Sequence, residues 1–234
     1  MVLADASSSA SAKSQSICMI ICAVEEVSCG CFKLTTSEGP SFFIRKCYLD
    51  IVPIEKITSM IFYGLSTKMD CVDFSETESD DIEMASRAFL AEKCALGYIG
   101  RAEHSRFLLS RKLEQKGFSG VEATKALDYL EQCGMVSDER YARAFLHSRK
   151  AKNEGRTRLS AELNARGVRG EALKNALDDF FGENDEIEIC KKACKKISAH
   201  CTDENKLYAR LFRMGFSAKD IRLSLASLKN DSTI

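Results

Sequence analysis

The sequence lacks any apolar run of the about 18 residues that a membrane-spanning helix needs. Its first residues carry Asp5 and small polar side chains where a signal peptide would carry positive charge. We therefore expect a cytoplasmic protein with no membrane partner and a disordered tail over residues 1–16. Eleven cysteines are present, but their irregular scatter and the missing export signal favour free thiols that pack as small hydrophobic residues.

Signatures of catalysis are also missing. The sequence contains no G-x₄-G-K-[ST] phosphate-binding loop, no H-E-x-x-H metal motif and no G-x-S-x-G nucleophile motif. The three histidines, His104, His147 and His200, lie beside charged or small residues, which is weak support for general-base chemistry. We expect that the protein is not an enzyme and that it needs no cofactor.

Two groups of cysteines are candidate metal sites, and in both groups core packing is the favoured interpretation. The first lacks the paired C-x₂-C spacing of a zinc ribbon and consists of Cys18, Cys22, Cys29 and Cys31. In the second, Cys190 and Cys194 lie one helical turn apart on an apolar face, with His200 and Cys201 beyond. We predict no metal site.

The net charge of zero conceals an asymmetry between the two ends of the chain. Residues 1–85 hold 6 Lys and Arg against 13 Asp and Glu, whereas residues 86–234 hold 28 against 21. This distribution indicates that the second part contacts a polyanion, directly or beside another protein, while the first part stays away from it. Chance segregation of solvated charges is the alternative.

The first part of the chain has the texture of a small β-rich segment over residues 17–65. Its residues 17–62 are rich in Ile, Val, Phe, Thr and Cys, with turn signals at 28–30 and 37–40, which predicts a hairpin or a meander of two or three strands. Pro53 interrupts this pattern, and residues 54–65 have the pattern of a short helix. Residues 66–85 are predicted to be an acidic linker.

From Ser86 onward the sequence contains helix formers, no proline, and a threefold internal repeat. The repeat aligns without gaps over residues 110–118, 160–168 and 208–216. Each copy has a leucine four residues before a glycine and an apolar residue after it; the glycines are Gly117, Gly167 and Gly215. Further apolar residues recur ten and thirteen residues after each glycine, so the match extends over two helices.

The glycine is interpreted as a helix stop, because glycine enters the left-handed conformation that often follows a helix without a Cβ penalty. A further helix precedes each such pair, over about 86–98, 138–151 and 185–199, with starts marked by Ser86, by residues 137–139 and by residues 184–186. We predict three-helix repeats over residues 86–136, 137–183 and 184–230. The fold class is therefore mainly α, with the repeats in an elongated curved array that follows a small strand-rich segment.

The first helix of the second repeat has a cationic face. At about 100° per residue, Tyr141, Ala142, Phe145 and Leu146 lie on one side, and the other side holds Arg140, Arg143, His147 and Lys150. Lys152, Arg156 and Arg158 follow, with Glu154 as the only acid nearby in sequence. This pattern favours a site for phosphate or for an acidic protein surface over a merely solvated face. In the third repeat a stripe of Lys191, Lys192, Lys195 and Lys196 is more typical of a solvated surface.

The repeat region resembles the RecX family. The resemblance lies in residues 101–118, in 138–142 with Ser148 and Arg149, in 155–168 and in 213–217, and it covers about residues 86–228. Three positions depart from the family pattern: Ser137 replaces an acid, Leu108 replaces a Glu, and Arg156 replaces a proline. Residues 17–65 are only weakly similar to the strand-rich extension of some members.

The resemblance implies a modulator of RecA, usually an inhibitor, with roles in homologous recombination, DNA repair and the SOS response. Such a protein lies as a monomer in the groove of the RecA–single-stranded DNA filament, contacts DNA weakly or only there, and suppresses strand exchange and ATP hydrolysis. By position, the contact residues would be Arg140, Tyr141, Arg143, Arg149, Lys150, Lys152, Arg156 and Arg158, with Arg111 and Lys112 as lesser candidates. The alternatives are a helix-turn-helix DNA-binding protein and a generic helical-repeat interaction protein.

Overall fold

The fold is described by a computed structural model, over residues 19–37, 39–62, 71–201 and 203–231. The chain divides into two compact units, Met1–Phe89 and Leu90–Ile234. The predicted fold class, mainly α with a small strand-rich N-terminal segment, is confirmed. The tail predicted over residues 1–16 lies outside the described residues. Among the described helices, none is both long enough and apolar enough to cross a membrane.

A four-stranded antiparallel sheet forms the body of the first unit. In chain order its strands are β1 (Met19–Ser28), β2 (Cys31–Thr36), β3 (Phe42–Arg45) and β4 (Val72–Phe74). The strand order across the sheet is β3-β2-β1-β4, so the predicted meander of three strands is confirmed and β4 is an addition to it. Gly30 makes the turn between β1 and β2 with a φ of 71°, a conformation that favours glycine.

The acidic segment predicted as a linker forms a strand and the start of a helix over residues 72–85, so the prediction is wrong there; residues 66–70 lie outside the described residues. Helix α1 spans Ile54–Phe62, and after β4 a long helix, α2, spans Glu76–Ile99. Glu76 and Glu78 lie in the first turn of α2, where the helix dipole favours carboxylates. Ser86, predicted to start a helix, therefore lies in the middle of one.

Buried polar contacts fix α2 within the first unit. Asp81 is only 3% exposed, and its carboxylate accepts hydrogen bonds from the backbone N–H groups of Asp50, Ile51 and Val52, at 2.8–3.2 Å. Glu78 accepts from the Lys56 ammonium of α1 at 2.8 Å. These contacts join α2 to the loop and the helix that precede β4 in sequence.

The second unit consists of three three-helix repeats. The first repeat combines the end of α2 with α3 (Arg106–Gln115) and α4 (Gly120–Gln132). The second contains α5 (Asp138–Arg149), a 3₁₀ turn (Lys150–Lys152), α6 (Arg156–Ala165) and α7 (Gly170–Glu183). The third contains α8 (Glu186–Ser198), α9 (Glu204–Arg213) and α10 (Ala218–Asp231). Of the predicted starts, Ser137 caps α5, and Asp185, within the predicted stretch 184–186, caps α8.

Each repeat has its own apolar core, built on the leucines that the repeat pattern singles out. Leu113, Leu163 and Leu211 are all fully buried, each in a separate cluster. Gly117, Gly167 and Gly215 have φ values of 88°, 85° and 90°, so the left-handed helix stop is confirmed in all three. In each case the N–H of the following apolar residue donates back to the carbonyl of that leucine, at 3.1–3.4 Å.

Equivalent contacts join consecutive repeats. At the first junction the Ser105 hydroxyl donates to the Arg166 carbonyl, and Gly167 lies so close to Phe107 that a Cβ would overlap its ring. At the second junction the Gly155 N–H donates to the Met214 carbonyl at 2.9 Å, and Gly215 leaves no room for a Cβ against Arg158. The glycine turn of one repeat therefore packs against the start of the middle helix of the repeat before it.

Candidate nucleic-acid and protein interface

The two faces predicted for α5 are present. Tyr141, Ala142 and Leu146 are buried in the core of the second repeat, with Phe145 packed beside them. The opposite face is exposed and carries Arg140, Arg143, His147 and Lys150. Burial raises the pKa of the Tyr141 hydroxyl, which is 9% exposed, so this residue acts through the core. Phe145 is covered by the guanidinium groups of Arg149 and Arg166, at 5.0 and 4.6 Å from the ring centroid.

The arginines on the exposed face of α5 have acidic partners from other elements. Arg140 pairs with Glu103 at 2.9 Å and also donates to the backbone carbonyls of Gly134 and Met135. Arg143 pairs with Glu139 and with Asp179, both at 2.8 Å. Glu154 is the acid nearest in sequence to Arg156 and Arg158, but in the folded chain Arg156 also pairs with Asp178 and Arg158 with Glu162.

Two further candidates, Arg149 and Arg158, surround a buried carboxylate. Glu154 is 7% exposed and lies 3.0 Å from the Arg158 guanidinium and 3.8 Å from that of Arg149. Glu162 accepts from Arg149 at 2.6 Å. The side chain of Arg149 is 18% exposed and that of Arg158 is 44% exposed, so Arg149 is mainly structural while Arg158 also reaches the surface.

Arg156 occupies the first turn of α6 and links two repeats. Its guanidinium pairs with Asp178 at 2.7 Å, and its backbone N–H donates to Glu186 at 3.0 Å. In the first repeat Arg106 makes the equivalent contacts, pairing with Asp128 and donating its backbone N–H to Asp138. A proline at position 156 has no N–H and could not donate to Glu186.

The remaining candidates are lysines and one arginine with fewer contacts. Lys150 and Lys152 are exposed, and neither side chain forms an ion pair with any residue that the structure describes. Arg111 is exposed and lies 5.9 Å from the Phe107 ring centroid. Lys112 contacts His104 and lies over the Tyr98 ring, which makes it part of the first repeat's own packing.

The cysteines have no arrangement typical of a metal centre within the described part of the chain. Cys190 and Cys194 are buried in the core of the third repeat, and desolvation raises the pKa of Cys190 to about 11. Cys18 lies outside the described residues, so the first proposed cluster is incomplete. Cys22 and Cys71 face each other across β1 and β4 with their Sγ atoms 2.6 Å apart.

A cleft between the second and third repeats brings together residues that the sequence pattern did not indicate as one site. Its volume is about 280 Å³, and it is lined by Lys152, Lys196, His200 and Arg210 among others. Lys196 belongs to the lysine stripe of α8, for which a solvated surface was the expectation. No sequence signal joins these residues, because they meet only after two repeats have packed together.

Comparison with proteins of similar sequence assigns the chain to a family. The regulatory protein RecX of Prosthecochloris aestuarii (strain DSM 271 / SK 413) is 32% identical over 139 residues, which cover 57% of this chain and 90% of that protein. The regulatory protein RecX of Xanthomonas axonopodis pv. citri (strain 306) is 34% identical over 131 residues, covering 55% of this chain and 81% of that protein. The chain belongs to the RecX family.

The family models and solved structures agree with this assignment. The model of the first three-helix domain of RecX matches residues 91–130, and that of the second matches residues 137–177. A crystal structure of a regulatory protein RecX aligns with a TM-score of 0.64 at 17% identity, covering 89% of this chain and 99% of that one. RecX from Lactobacillus salivarius aligns with a TM-score of 0.55 at 17% identity, covering 62% of this chain and 98% of that one. The structural likeness shows the shared fold.

Proposed function

We propose that this RecX-family chain modulates a RecA recombinase, in the direction of inhibition. It lies in the groove of the RecA–single-stranded DNA filament and suppresses strand exchange and ATP hydrolysis. It acts in the cytoplasm as a monomer, during recombinational DNA repair and the SOS response, and it catalyses no reaction of its own. Membership in a family of regulatory proteins supports this role.

The observation that carries the proposal is the recurrence of one junction between the repeats. Ser105 bonds to Arg166, and Gly155 bonds to Met214, at equivalent positions of consecutive repeats. The cationic side chains of the repeats are therefore held at fixed separations. Several weak contacts along one polymer add through effective concentration, so such a chain can bind a filament more tightly than it binds one isolated protomer.

The exposed cations are the candidate contacts. Lys150, Lys152 and Arg111 point to solvent without an ion pair to the described residues. Arg140 and Arg143 pair with carboxylates at the surface, where an ion pair contributes only about 0–1 kcal/mol and is readily exchanged for another anion. Arg158 is also exposed, although its partner Glu154 is buried. Arg149, Arg156 and Lys112 support the contact surface, and Tyr141 supports it from the core.

The direct test is the ATPase activity of RecA on single-stranded DNA with substoichiometric amounts of this chain. We expect ATP turnover to fall, because one molecule that spans neighbouring protomers affects more than one active site. Unchanged turnover together with no binding to the filament would contradict the proposal. Tight binding to a single duplex site would instead favour the helix-turn-helix alternative, and binding to neither would favour a generic interaction repeat.

A charge-reversal variant tests the α5 face. Changing Arg140, Arg143 and Lys150 together to Glu should abolish filament binding, while helicity and melting stay nearly unchanged because exposed charges contribute little to stability. The matched control reverses three exposed cations elsewhere in the unit: Lys116, Arg169 and Lys174. Unaltered inhibition by the α5 variant, or equal loss in the control, would remove this face from the mechanism.

A further inference from the structure

Three cationic side chains and one histidine line the cleft between the second and third repeats. Lys152 enters it from the 3₁₀ turn after α5, Lys196 and His200 from α8 and the residue stretch that follows it, and Arg210 from α9. The residues that line the cleft include no carboxylate in the described part of the chain. The cleft therefore concentrates positive charge from two repeats.

The cleft differs from the α5 face in how its charges are satisfied. Arg140 and Arg143 have carboxylate partners within 3 Å. The side chains of Lys152, Lys196 and Arg210 have no ion pair or hydrogen bond to any described residue. Like charges held near one another repel, and an anion bound between them would remove that repulsion.

The walls of the cleft are apolar and fixed in position. Ala193, Ile197 and Met214 supply its apolar surface. The Met214 carbonyl accepts the junction hydrogen bond from Gly155, two residues after Asn153, which also lines the cleft. Asn153 adopts a left-handed φ of 51°, which is uncommon for a residue other than glycine. The two sides of the cleft therefore do not need to assemble when a ligand arrives.

We propose that this cleft binds a phosphate group of a single-stranded DNA backbone. The Arg210 guanidinium can bind phosphate oxygens in a bidentate manner, and Lys152 and Lys196 act as point charges on either side. A phosphate bound there contacts two repeats at once. This inference rests on the proposed function and adds to it a DNA site that is separate from the α5 face.

The test compares two neutralised variants of the full chain in titrations with fluorescein-labelled oligothymidylate, followed by anisotropy at several salt concentrations. The cleft variant is Lys152→Gln, Lys196→Gln and Arg210→Gln. The matched control, Arg140→Gln, Arg143→Gln and Lys150→Gln, removes the same charge from the α5 face. We expect the cleft variant to lose about tenfold or more in affinity, with a salt slope shallower by about 0.7, because each phosphate contact that is lost contributes about 0.7 on single strands.

The outcomes separate the possibilities. An affinity loss in the control as large as that in the cleft variant would overturn the proposal, because it would reflect net charge alone. Inorganic phosphate that competes as well as the oligonucleotide would overturn the DNA assignment in favour of a free anion. If the triple variant unfolds at a lower temperature than the wild type, the single variant Arg210→Gln, at an exposed position of α9, must lose at least about threefold in oligonucleotide affinity. If the cleft variant binds the oligonucleotide as the wild type does and the wild type still inhibits RecA, only the proposed phosphate site is overturned. If oligonucleotide binding depends on the cleft but the chain has no effect on RecA, only the proposed function is overturned.

Discussion

In Met1–Phe89 the contacts that fix the fold join residues far apart in sequence, whereas in Leu90–Ile234 equivalent contacts recur about every 50 residues. Asp81 bonds to backbone groups 29–31 residues earlier in the chain. In the second unit, by contrast, each middle helix ends with the same bond from an apolar N–H to a leucine carbonyl. The first unit thus depends on individual polar contacts, and the second on a motif that is used three times.

The glycine of the recurring motif has two roles, to end the middle helix and to contact the preceding repeat, and these roles can be compared between repeats. Gly117, in the first repeat, has open space around the position of a Cβ, so its only role is to end α3. Gly215 ends α9 in the same conformation and also touches the backbone of Arg158 in the preceding repeat. The comparison of these two glycines therefore isolates the contribution of the junction.

The largest effect is expected for Gly215→Ala. The substitution adds the strain of a left-handed alanine to an overlap with the Arg158 backbone, and we expect the free energy of unfolding to fall by about 3 kcal/mol or more. Urea denaturation followed by helical circular dichroism measures the loss. Gly117→Ala, whose φ is within 2° of that of Gly215, is the matched control and should lose only about 1 kcal/mol. Equal losses would mean that the junction contributes nothing to stability.

The next effect concerns the polar anchor of the first unit. Asp81→Ala removes the acceptor of three backbone N–H groups, and we expect a loss of about 1–3 kcal/mol, because the buried N–H of Val52 and the partly buried N–H groups of Asp50 and Ile51 would lose their acceptor. Hydrogen exchange at Asp50, Ile51 and Val52 should accelerate while exchange in α9 stays unchanged. The exposed neighbour Asp80→Ala is the control, and its amide exchange should match that of the wild type. Unaltered protection of residues 50–52 in the Asp81 variant would show that the loop is held by other contacts.

The smallest effect is a pH dependence confined to the first unit. The hydrogen bond from Lys56 lowers the pKa of Glu78 from its ordinary value of 4.5 to about 2. Because the folded-state pKa is depressed, this contribution to stability is complete above about pH 4.5 and is lost as the pH falls toward 2. As the pH falls between these values, the amide hydrogens of β4 and α1 should lose protection against exchange more steeply in the wild type than in Glu78→Gln. Lys56→Gln should flatten the dependence in the same way; a slope identical in all three proteins would contradict it.

The same contrast explains how much of the fold the sequence predicts. The three repeats, the left-handed glycines and the cap at Ser137 follow from spacing and local chemistry alone. The start of α2 does not, because an acid-rich helix N-terminus has the composition of a linker. Only the packing of Asp81 against residues 50–52 identifies the segment as a buried helix.

The candidate site divides in a similar way. The exposed and buried faces of α5 follow from helical periodicity, which fixes the direction of each side chain. Arg143 pairs with Glu139 of its own helix, but the other carboxylates that pair with Arg140 and Arg143 come from Glu103 and Asp179, which are not near them in sequence. The cleft around Arg210 forms only when two repeats pack together, and the sequence pattern of a single repeat does not predict that packing.

The junction between the second and third repeats uses main-chain N–H and carbonyl groups and the absence of a side chain at Gly155 and Gly215. Few side-chain identities are needed to keep such a contact, so the residues on the outer surfaces are free to diverge between species. The charge pattern of one repeat can therefore change without altering the position of the next, while the spacing of the helices stays constant.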